Sequence, residues 1–116
     1  MAFYDLSKQE RVAVVANIHN DILQELKKPP VKKILAFFGD DDTYIRKSAY
    51  LSVGRIYNEN ETLRSKIIKM LVSLLEEDDF KIRQTVINAA GEIGKADFSI
   101  VQHIFDKGLF DHHHSP

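Results

Sequence analysis

Asp41-Asp42-Thr43-Tyr44-Ile45-Arg46, continuing to Gly54-Arg55-Ile56, returns 37 positions later as Asp78-Asp79-Phe80-Lys81-Ile82-Arg83, continuing to Gly91-Glu92-Ile93. The same offset carries Asp41, Asp42, Ile45, Arg46, Gly54, Ile56 and Ile67 onto identical residues: Asp78, Asp79, Ile82, Arg83, Gly91, Ile93 and Ile104. Ala49 pairs with Val86, Val53 with Ala90, Leu63 with Ile100 and Asn60 with Asp97, so these positions keep their character. A recurrence of this length, with apolar residues at helical spacing inside it, predicts helical hairpins stacked in tandem.

Outward from that stretch the helices follow in order. Ser7-Lys8-Gln9-Glu10 has the form of a capping box, in which serine and glutamate satisfy free amides at a helix start. Val12, Val15, Ile18, Ile22, Leu23 and Leu26 continue it at helical spacing, predicting a helix over 8–27. Pro29-Pro30 interrupts it, because a residue before proline is pushed out of the α region. Pro30 is expected in the first turn of a second helix over 31–39, where its missing donor costs nothing. Asp42 is expected to cap a helix over 43–57 with Ile45, Ala49, Val53 and Ile56 inward. Asn60 is expected to cap one over 61–76, with Leu63, Ile67, Met70, Leu71, Leu74 and Leu75 as its buried stripe. Asp79 then caps 80–94 and Asp97 caps 98–109. Period-two alternation is absent, so no strand is expected. The chain is read as one all-α domain over 1–116, with a divergent first pair or cap at 1–39 and repeats at 40–77 and 78–110. Residues 111–116 form a tail or the start of a further, truncated repeat.

With 44% apolar residues over 116 positions the chain can build one core. A net charge of −1 gives no bulk attraction to nucleic acid or anionic membrane. The absence of cysteine excludes disulfides and thiolate metal sites and fits a reducing compartment. The first residues lack the basic and apolar regions of a signal peptide, and no apolar run reaches the roughly 18 residues that span a bilayer. A cytoplasmic location is the expectation.

Asp42-x-x-Ile45-Arg46-x-x-Ala49-x-x-x-Val53-Gly54-x-Ile56 resembles the first helix of a HEAT repeat, an armadillo-like α-solenoid unit. Asp79-x-x-Ile82-Arg83-x-x-Val86-x-x-x-Ala90-Gly91-x-Ile93-Gly94 resembles it too, in the short bacterial, phycobilisome lyase-like form. The resemblance covers 40–110; the first helix lacks the Asp-x-x-apolar-Arg opening. It implies a right-handed α-α superhelix of about three antiparallel helix pairs, with first helices convex and second helices concave. It also implies an inter-repeat ladder made by Asp42, Arg46, Asp79 and Arg83, in which Arg46 pairs with Asp42 or Asp79. Phosphate binding by Arg46 and Arg83 is the competing reading. Gly54 and Gly91 each cost roughly 1 kcal/mol relative to alanine inside a helix, so close approach of neighbouring helices is expected at both.

Candidate chemistry is thin. His112-His113-His114 follows the last helix, and adjacent positions do not share a face, so the run reads as a tail and not as a metal site. His19 beside the first apolar stripe reads as a partly exposed surface histidine. The acidic runs Asp40-Asp41-Asp42 and Glu76-Glu77-Asp78-Asp79 recur at helix starts, where carboxylates complement the helix dipole. The chain has no nucleophile elbow, phosphate-cradling glycine loop or His-Glu-x-x-His, so no catalytic residue, metal or cofactor is assigned.

The expected function is a non-enzymatic scaffold that binds a protein or peptide, an acidic one in particular, on the concave face of its second helices. Lys32, Lys66, Lys69 and His103 are the candidate contacts: Lys32, Lys69 and Asp106 are spaced 37 apart, as are Lys66 and His103. The alternative is a DNA-binding module resembling the alkylation-repeat glycosylases. It is disfavoured by the absence of tryptophan and of a concave aromatic–aspartate pair. The tail also matches the approach to a new repeat, predicting an N-terminal piece of a longer array. Its end would expose Ile93, Ile100, Ile104 and Leu109 and self-associate through them.

Overall fold

The computed structural model describes residues 2–110, with side chains through 106. Among them there is no strand. Six α-helices run in order: α1 (Lys8–Lys27), α2 (Lys32–Phe38), α3 (Thr43–Glu59), α4 (Arg64–Leu74), α5 (Phe80–Gly94) and α6 (Phe98–Phe110). Single 3-10 turns cover Phe3–Asp5 and Glu61–Leu63. The fold is all-α and solenoid-like, in three helix pairs joined by short connections. α3 and α5 form its centre: they pack on each other, α1 and α2 flank α3, and α4 and α6 flank α5.

Local chemistry sets the starts of α1, α3 and α5. Ser7 Oγ accepts from the Glu10 amide at 3.1 Å while Glu10 Oε1 accepts from the Ser7 amide at 2.9 Å, so the capping box forms as expected. Asp42 accepts from the Tyr44 amide at 2.9 Å and Asp79 from the Lys81 amide at 2.8 Å, each starting its helix. α1 and α5 keep the bounds expected for them, and α3 extends two residues further, to Glu59.

Three expectations are corrected. Pro30 lies outside α2, which starts at Lys32 with Val31 as its cap residue. The cap comes from elsewhere: Glu25 on α1 accepts from the Lys33 amide at 2.8 Å and the Ile34 amide at 2.9 Å. A carboxylate one helix away thus satisfies the two donors that an apolar Val31 cannot. The helix expected over 61–76 is a 3-10 turn followed by α4, and Asn60 does not cap it. Asn60 instead donates from Nδ2 to the Ile56 carbonyl at 3.1 Å, closing the end of α3. Arg64 joins it, giving Nε to the Tyr57 carbonyl at 2.8 Å and a terminal nitrogen to the Asn58 carbonyl at 3.2 Å. Orphan carbonyls at the end of a helix attract such donors, and both side chains are spent on α3.

The apolar stripes bury much as their spacing implies. Ile18, Ile22 and Leu26 of α1, Ala49, Val53 and Ile56 of α3, and all six stripe residues at 63–75 join one cluster with Ile34, Phe38, Val86, Ile93, Val101 and Ile104. Val12 departs furthest at 64% exposure, Val15, Leu23 and Ile45 are half-buried, and only the second half of the α1 stripe reaches the core. The expected exposure of Ile93 and Ile104 is also overturned, since both are fully buried at the α5–α6 seam. Ile100 stays 40% exposed; the side chain of Leu109, the tail 111–116 and His112–His114 lie outside the described residues.

The two repeating glycines differ. A Cβ on Gly54 would stand 2.7 Å from the Glu92 Cβ, so α3 and α5 meet there as closely as only glycine allows. A Cβ on Gly91 would meet nothing within 4 Å, which removes the packing reason expected for it.

Candidate interaction surface

The junctions between repeats are where the resemblance places its ladder, and each has a definite geometry. Arg46 donates to the Asp40 carbonyl and, at 3.0 Å, to the Thr43 hydroxyl. Arg83, buried in α5, donates to the Glu77 carbonyl at 2.7 Å and the Asp78 carbonyl at 2.8 Å. Glu77 lies 37 residues after Asp40, so the recurring arginine makes a recurring contact and ties down the carbonyls of the loop that precedes its own helix. The hydrogen bonds of Arg46 thus go to the preceding loop and to Thr43, while its charge also acts on the carboxylate of Asp42, one of the two expected partners. The Asp42 carboxylate is already committed to backbone amides, whereas the loop carbonyls, at a helix end, are short of donors. A guanidinium offers several donors in one plane and suits them. Lys81 makes an ion contact across the junction, 3.7 Å from Asp41, and lies 3.4 Å from Asp79 at the start of its own helix. These are exposed pairs, and such pairs contribute little.

Asp42 does more than cap. Its second oxygen accepts from the Phe3 amide at 2.7 Å, fastening the N-terminal 3-10 turn to the start of α3. The Phe3 amide chiefly holds the Asp42 carboxyl below the usual carboxylate range, with Tyr44, Ile45 and Arg46 adding to the effect against partial burial. The fastening brings three rings together: Phe3 stacks on Tyr44 at 6.2 Å between centroids, and Tyr4 meets Tyr44 edge-on at 4.3 Å. A cleft of about 540 Å³ opens beside them, lined by Ala2, Tyr4, Asp40, Asp41, Asp42, Thr43 and Tyr44. Sequence reasoning assigned no partner-binding residue to this cleft. The signal that could have found it was the break in the repeat at Tyr44, which aligns with Lys81.

The candidate contact residues are all exposed: Lys32 opens α2, Lys66 and Lys69 lie one turn apart on α4, and His103 is on α6. α4 packs beside α6, which places the last three on neighbouring helices; the main seams of α2 are with α1, α3 and α5. Among the described residues no carboxylate pairs with Lys32, Lys66 or Lys69, whereas Lys33, Lys81 and Lys95 are each engaged. His19 sits between α1 and α3 with Nδ1 buried and without a hydrogen-bond partner. Burial, with help from Arg55 and against Glu59, lowers its affinity for a proton. Among the described residues no group of three or more His, Asp or Glu is placed to hold a metal ion. No described helix is long and apolar enough to cross a membrane.

Paired helices, capped and latched at regular junctions around one core, define a HEAT-like helical-repeat scaffold. Within that class the chain belongs to the Cnd1 family, described as non-SMC mitotic condensation complex subunit 1, whose profile matches residues 12–113. The family is one of helical scaffolds in a protein complex, and the match reaches back through α1 and α2, beyond the span that carries the HEAT resemblance. It does not single out the short bacterial HEAT type. No curated protein and no solved structure matches the chain.

Proposed function

We propose that this chain is a non-enzymatic interaction scaffold whose second helices hold an acidic segment of a protein partner against Lys32, Lys66, Lys69 and His103. The observation that carries the reading is the state of the three lysines: exposed, and without a carboxylate among the described residues. An unpaired ammonium on a rigid helix gives up no internal ion pair when it meets a partner's carboxylate. Membership of a family of complex subunits supports a protein as the partner.

The probe is a fluorescein-labelled peptide of ten glutamates, followed by anisotropy as the full chain is titrated. Exposed ion pairs contribute roughly 0.2–1 kcal/mol each, so reversing Lys32, Lys66 and Lys69 to glutamate together should weaken binding by at least about tenfold. Unchanged binding would clear the strip of involvement. Duplex DNA that binds the same chain more tightly than the peptide, and lets go steeply with salt, would favour the nucleic-acid alternative. A second contact, chain to chain, is proposed through the outer face of α6, where Phe98 is 57% and Ile100 40% exposed.

A further inference from the structure

The 37-residue period separates what the repeat explains from what it does not. Asp40, Asp41 and Asp42 have counterparts in Glu77, Asp78 and Asp79, so helix capping and loop closure account for acid at both junctions. The tyrosines have no such counterpart, although the second junction carries one exposed ring of its own, Phe80, at the position of Thr43. Tyr44 aligns with Lys81, and Phe3 and Tyr4 precede the first helix. The tyrosines are an addition to one junction only, and they are left in water: Tyr4 is 56% and Tyr44 42% exposed. Together they wall the cleft whose remaining lining is largely acidic.

The demands already made on each lining group show what the cleft can still accept. Both oxygens of Asp42 are taken by the Phe3 and Tyr44 amides, and Asp40 Oδ1 accepts from the Asp42 amide at 2.8 Å. Asp41 is different: its side chain is fully exposed, and its ion contact, with Lys81, is a loose 3.7 Å. A fully exposed, loosely paired carboxylate beside exposed aromatic rings is the chemistry that holds a planar cation. The chain supplies its own example, since the Arg11 guanidinium lies over the Tyr4 ring, 4.9 Å from the centroid.

We propose that this cleft binds an arginine side chain of a basic peptide, with the guanidinium against the Tyr44 ring and its donors on the Asp41 carboxylate. The site is independent of the lysine strip and opposite to it in charge. A guanidinium fits better than an ammonium because it can stack on a ring and bond a carboxylate through the same plane.

The test is a titration of the ¹⁵N-labelled full chain with the blocked peptide Gly-Ser-Arg-Ser-Gly and with its citrulline and lysine versions, read by amide shifts. The arginine peptide should move the amides of Tyr4, Asp41, Asp42 and Tyr44 saturably, while the citrulline version, isosteric but uncharged, should bind at least about tenfold more weakly. Tyr44→Phe, which keeps the ring, should bind like the parent. Tyr44→Leu should weaken binding about two- to fivefold, the range for an exposed cation–ring contact, and Asp41→Asn should weaken it comparably. The proposal is overturned by an absence of saturable shifts or by equal binding of the citrulline or lysine peptide. Equal shifts at the Glu77–Asp79 junction, which has the acid but not the tyrosines, would also overturn it.

Discussion

A glycine inside a helix is a cost wherever nothing needs its lack of a side chain. Gly54 and Gly91 are equivalent in the repeat, yet only Gly54 faces a neighbour, the Glu92 side chain at 2.7 Å from an added Cβ. Alanine should therefore act in opposite directions at the two sites. Gly54→Ala forces α3 and α5 apart and should destabilise by about 1–3 kcal/mol, the usual range for overpacking. Gly91→Ala meets nothing and should stabilise by about 0.5–1 kcal/mol through helix propensity. Urea unfolding of the two variants checks both signs; a loss of stability at Gly91 would mean that an unseen neighbour fills the space beside it. The arginines follow a related rule. Arg46 and Arg83 are recognisable from spacing as a recurring structural pair, but the choice between a carboxylate and a carbonyl acceptor depends on which acceptors already have donors. That is settled by the loop path at 39–42 and 75–79.

Elements meet through groups whose environment exists only once they are packed. His19 of α1 is held against α3 near Arg55 and Glu59, and burial lowers its proton affinity below the ordinary value of 6.5. The unfolded chain then takes up a proton at higher pH than the folded one, and acid favours unfolding. Stability should decline as pH falls from about 6.5 toward the lower folded value, then cease to depend on this group once the native imidazole is also charged. His19→Gln should lose less stability than the parent between about pH 7.5 and about pH 5.5 in urea titrations; parallel losses would show that other groups govern the decline. The α1–α2 hairpin makes a similar point through Glu25. Nothing within 28–34 supplies a cap for α2, and the carboxylate that does so becomes a neighbour only after the chain has turned at Pro29-Pro30. By contrast, the caps at Ser7, Asp42 and Asp79 involve residues two or three apart and are legible from spacing alone.

At the scale of the molecule, stacked repeats bury each helix pair against the next, so an end surface keeps whatever its neighbour would have covered. The described end is narrower than the sequence implied, because Ile93, Val101 and Ile104 are consumed in packing α6 on α5, and Phe98 and Ile100 remain outside. Sedimentation equilibrium of the parent chain should show mass rising with concentration, and Phe98→Ser with Ile100→Ser should abolish the rise; a parent chain monomeric at high concentration would count against contact through α6. The sequence by itself determined the helical class, the 37-residue period, the six helices and most of the core, because helix propensity, capping and apolar spacing act over a few residues. The tertiary structure alone decided which glycine is needed, which acceptors the arginines reach and which carboxylate caps α2. It also decided that Phe3, Tyr4 and Tyr44 gather beside three aspartates. Those outcomes depend on groups brought together from distant parts of the chain, whose proximity no local pattern encodes.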